Sequence, residues 1–133
     1  PFSAQVVREG TDATIVAYGP LVPVALAAAE AAVEDGRSIE VIALRSFSPL
    51  VVPTVAASVA KTGRLIVAHE APTFGGMGGE LAAAITERCF YSLQAPVIRV
   101  GGYYMPYPVS RVEEEYVPDI DRILEAVDRA FDY

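Results

Sequence analysis

The chain's one histidine, His69, stands beside Glu70 in the stretch VAHEAPTFGGMGGEL, residues 67–81, and glycines follow at 75, 76, 78 and 79. A histidine next to a carboxylate is a unit of acid–base chemistry, and a glycine-rich turn that opens a helix is a unit of phosphate binding. The spacing denies both. Adjacent residues in a strand point to opposite faces, so His69 and Glu70 cannot form a dyad with each other. A phosphate loop needs Gly-x-Gly-x-x-Gly, or a closing Gly-Lys-Ser/Thr, so that backbone N–H groups converge unobstructed. Counted from Gly76 and Gly78, the third glycine falls at Leu81, and the residue after Gly79 is Glu80. A carboxylate there, read as lying in the first helical turn, suits the helix dipole but repels a phosphate. His69 then reads either as a hydrogen-bonded residue closing a strand or as a contact between domains or subunits, because open α/β sheets present functional surfaces at strand C-termini.

Other reactive groupings fail in the same way. No Gly-x-Ser-x-Gly elbow is present, and one cysteine with one histidine can build neither a disulfide nor a closed zinc site. Cys89 follows Leu81 and Ile85 at four-residue spacing, which places it on a buried helical stripe rather than at a reactive surface. No catalytic, cofactor-binding or metal-binding residue is assigned, and a reducing compartment is expected. The second unusual region is GGYYMPYPVSRVEEEY, residues 101–116. Pro106 and Pro108 stiffen it, and Tyr103, Tyr104 and Tyr107 cannot all turn inward from so short a loop, so they read as interface residues. Glu113 to Glu115 read as a solvated face.

These residues need a scaffold, and 133 residues with 53% hydrophobic content suffice for one domain with a real core, residues 1–133. The net charge of −7 argues against nucleic acid and anionic membranes as partners, and no run approaches the ~20 apolar residues of a membrane span. The chain opens at Pro1 directly into strand-like sequence and so reads as part of a longer polypeptide. Five segments carry strand character: AQVVREG, ATIVAYG, IEVIALR, RLIVAHE and PVIRVG. The middle ones are almost continuously apolar, as strands covered on both faces are. Helical runs alternate with them. One spans about Leu21 to Asp35 and stops at Gly36; one spans Pro53 to Thr62 and stops at Gly63; a third spans about Met77 to Tyr91. The last, PDIDRILEAVDRAF, takes Asp119 as N-cap and places Ile120, Ile123, Leu124, Val127 and Phe131 on one face. The alternation predicts an α/β fold, a three-layer α/β/α sandwich with a five-stranded, mostly parallel sheet.

The order of motifs then points to a family. DATIVAYG, VIALRSFSPL, KTGRLIVAHEAPTFGGMGGELAAAI, CFYSLQAPVIRVGGY and PDIDRILEAV together closely resemble the C-terminal domain of the β subunit of thiamine-diphosphate-dependent 2-oxoacid dehydrogenases. The likeness covers essentially the whole chain; C-terminal domains of transketolases share less of it. HEAP and CF-x-x-L-x-AP look most like the branched-chain members. Tyr104 and Met105 depart from the family's usual aspartate and threonine, and Gln94 stands where an acidic residue is common.

The resemblance implies a whole enzyme of two α and two β subunits that decarboxylates a 2-oxoacid and passes the acyl group to a lipoyl arm. Thiamine diphosphate and magnesium sit in other domains of that enzyme, so this chain is expected to bind neither and to be inactive alone. It implies an assembly role through a second β subunit, and docking of the acyltransferase's small subunit-binding domain near the C-terminus, where Asp132 and Tyr133 supply negative charge. His69, Glu70, Tyr103, Tyr104 and Tyr107 complete the interface candidates. The implied location is cytoplasmic, or the mitochondrial matrix in a eukaryote. A pyruvate or acetoin dehydrogenase, a transketolase-like enzyme, and a free-standing α/β binding module are the alternatives.

Overall fold

The computed structural model describes residues 4–45, 51–69, 75–101 and 120–133. Five strands run β1 (Ala4–Arg8), β2 (Ala13–Tyr18), β3 (Ile39–Leu44), β4 (Leu65–His69) and β5 (Ile98–Gly101). They form one sheet in the order β1-β3-β2-β4-β5. β2, β3, β4 and β5 pair in parallel, and β1 lies antiparallel on the outer edge of β3. Four helices are described: α1 (Leu21–Ala32), α2 (Val51–Thr62), α3 (Gly75–Arg88) and α4 (Ile120–Ala130).

Period-two alternation divides the core between the two faces of the sheet. Ala13, Ile15 and Ala17 of β2, Ile39 and Val41 of β3, and Ile66 and Ala68 of β4 pack in one cluster with α1 and α4. Their strand neighbours Val16, Ile42, Leu44, Leu65 and Val67 pack in the other with α2 and α3. Continuously apolar strands thus serve two helical layers, and the expected three-layer sandwich is what forms. α1 meets the sheet through Leu21, Ala25, Ala28, Ala29 and Ala32, a stripe of mostly one-carbon side chains that lets the helix lie close. Pro20 caps it, and Pro23 falls in the first turn, where a missing N–H costs no intrahelical bond.

Gly36 and Gly63 end the first two helical segments with φ of 76° and 77°, the left-handed conformation that favours glycine. Each is followed by an arginine and then a strand. Gly10 does a different job: a Cβ on it would stand 2.3 Å from the carbonyl carbon of Ile39, so only glycine can cross the start of β3 there.

Several boundaries differ from the sequence reading. α3 begins at Gly75, so Gly75 and Gly76 belong to the helix and Glu80 lies in its second turn, with no acidic residue in the first. The dipole-and-repulsion argument built on Glu80 therefore does not hold; the glycine spacing alone argues against a phosphate loop. α3 also ends earlier, at Arg88, which leaves Phe90 and Tyr91 in the following turn. α2 begins at Val51. α1 gives way at Val33 to a single 3-10 turn before Gly36. On α4 the buried stripe is Ile123, Ala126, Val127 and Ala130, and Ile120 is exposed. Asp119 lies outside the described residues.

Candidate functional site

Of the interface candidates, His69 and the pair Asp132 and Tyr133 lie at opposite ends of the sheet. His69 is the last residue of β4, in register with Gly101 at the end of β5. Glu70, Tyr103, Tyr104 and Tyr107 lie outside the described residues. Asp132 and Tyr133 sit at the other end, beyond α4, where the chain enters its parallel strands. Arg64 immediately precedes β4 and donates from Nε to the carbonyl of Ala130 at 3.1 Å. Four strand steps separate Leu65 from His69, about 13 Å at 3.3 Å per residue. His69 and the C-terminal pair therefore do not form a single site within one chain.

The C-terminal end is built around Phe131. The guanidinium of Arg37 lies 4.3 Å from the centre of its ring and that of Arg64 4.1 Å. Both arginines approach because both follow a helix-ending glycine at the same edge of the sheet. Arg37 also forms an ion pair with Asp128 of α4. Arg64 satisfies a carbonyl in the last turn of α4, where a cation is favoured by the helix dipole. Two cation–π contacts, an ion pair and a charge-assisted hydrogen bond therefore converge on the end of one helix. Beyond this clamp, Asp132 and Tyr133 are exposed, Tyr133 by 72%.

Gln94 belongs to the same end. Its backbone N–H donates to the carbonyl of Gly63 at 2.8 Å, and its side chain lies over Gly63, next to Arg64. Folding thus brings Gln94 to Gly63 and the last turn of α4 to Arg64, its neighbour in the chain. The clamp itself was missed. The repeated Gly-Arg before β3 and β4, GRSIEV and GRLIVA, is the signal that could have revealed it.

A second polar feature lies beneath α2. Glu40 of β3 is 2% exposed and accepts from Lys61 Nζ at 2.6 Å and from the backbone N–H of Gly10 at 3.0 Å. Burial works against its charge, but hydrogen bonds from Lys61, Ser58 and Gly10 outweigh that and hold its carboxyl below the ordinary range. Thr14 Oγ1 meets Ser58 Oγ and Thr62 Oγ1, each at 2.7 Å. Every one of these groups is paired within the fold, so the seam fixes α2 on the sheet and leaves no free acid or base.

Chemistry elsewhere among the described residues is sparse. Burial pushes the Cys89 thiol up, with Arg88 pulling the other way, and its Sγ faces the carbonyl of Ala56 at 3.8 Å. A thiol so held is a poor nucleophile. No group of three His, Cys, Asp or Glu residues among those described is placed to hold a metal ion. No described helix is long and apolar enough to cross a membrane.

Residues 3–123 match the family model of the transketolase C-terminal domain. The chain belongs to that family. A pyruvate dehydrogenase β subunit of Leifsonia xyli subsp. xyli is 55% identical over 98% of this chain and 39% of its own length. A 3-methyl-2-oxobutanoate dehydrogenase β subunit of Mycobacterium tuberculosis is 49% identical over 95% of this chain and 36% of its own. The chain thus spans less than half the length of these curated relatives. Among solved structures, a split-gene transketolase described as an inactive tetramer of β chains superposes with a TM-score of 0.78 at 27% identity, covering 97% of this chain and 42% of that one. The relatives divide between pyruvate and a branched-chain substrate, so overall identity does not confirm the branched-chain expectation.

Proposed function

We propose that the chain is the C-terminal domain of the β subunit of a 2-oxoacid dehydrogenase, where it organises assembly and carries no chemical step. The observation behind this reading is identity of 55% and 49% to two such subunits along nearly the whole chain. In the assembled enzyme the partners are an α subunit and a second β subunit, with the acyltransferase's subunit-binding domain docking at the end that displays Asp132 and Tyr133. Thiamine diphosphate and magnesium supply the decarboxylation chemistry from other domains. The location that goes with it is the cytoplasm, or the mitochondrial matrix in a eukaryote.

On substrate, the HEAP and CF-x-x-L-x-AP motifs favour branched-chain 2-oxoacids. The 55% identical pyruvate dehydrogenase subunit favours pyruvate as a second reading. The test is steady-state kinetics of the complete β subunit co-expressed with its α subunit, with pyruvate and 3-methyl-2-oxobutanoate as substrates. A kcat/KM at least ~10-fold higher for the branched-chain acid is expected, the discrimination that one or two methyl groups in an apolar pocket supply. The reverse order moves the assignment to pyruvate. Activity toward neither acid, with cofactors saturating, overturns the proposal.

A further inference from the structure

We draw no further inference here: the strongest candidate, the exposed apolar groove between α3 and the chain entering β5, lined by Ala82, Ala83, Phe90, Pro96 and Val97, carries nothing because nothing in the structure shows what covers it.

Discussion

Glu40 shows how a single buried acid becomes a fixture. Its carboxylate is desolvated, yet three donors make the charged form the favoured one. A carboxyl whose folded-state pKa lies below the unfolded one stabilises the fold at pH values above the unfolded pKa. That contribution is lost as pH falls from about 4.5 through the lower folded-state value. Glu40→Gln is therefore expected to cost about 1.5–3 kcal/mol at pH 7, the range for a hydrogen bond to a charged group, and little at the acid end. Urea unfolding of both proteins at pH 7 and at stepped acidic pH measures this; equal losses at every pH would mean that the charge is not what matters. The identity of Glu40 was legible in the sequence only as a polar residue inside an apolar strand. Its partners come from positions 10, 58 and 61, and chain folding alone assembles them.

At the scale of elements, α4 depends on what happens at its last turn. Its buried stripe of Ile123, Ala126, Val127 and Ala130 includes two alanines, so apolar area alone holds it modestly, and the Arg37–Phe131–Arg64 clamp adds to it. Phe131→Leu keeps most of the apolar volume and removes the ring; it is expected to cost about 1 kcal/mol, from two cation–π contacts at the lower end of their range. Phe131→Ala also removes packing and is expected to cost about 2–3 kcal/mol. Amide hydrogen exchange should speed up in α4 before it does in β2 and β4, which lie at the centre of the sheet. Uniform acceleration throughout would show that the clamp is not local to α4.

For the molecule as a whole, the exposed Asp132 and Tyr133 follow the clamp directly, at the end of the sheet where Gln94 also lies. The proposed docking of a basic subunit-binding domain there, in the intact enzyme, is expected to weaken as salt rises, because exposed charges are screened beyond about 8 Å at physiological ionic strength. Deleting Asp132 and Tyr133 should weaken it at least tenfold. Surface plasmon resonance with the immobilised binding domain reads both effects. Unchanged affinity after the deletion moves docking to another surface, with the segment from Tyr103 to Pro108 next in line.

The sequence by itself determined that strands and helices alternate, that strands β2 to β4 are covered on both faces, and that Cys89 belongs to the core. Each follows from hydrophobic period and helix-ending glycines, which act over a few neighbouring residues. It also carried the family, through motifs spread along the chain. Tertiary structure alone decided the strand order and the antiparallel edge of β1, since pairing partners are chosen across tens of residues by packing on both faces. It decided that Gly75 starts a helix, that Ile120 stays in solvent, and that two separate Gly-Arg pairs close on one phenylalanine. Those outcomes depend on which surfaces meet, and local pattern does not encode which distant surface will be opposite.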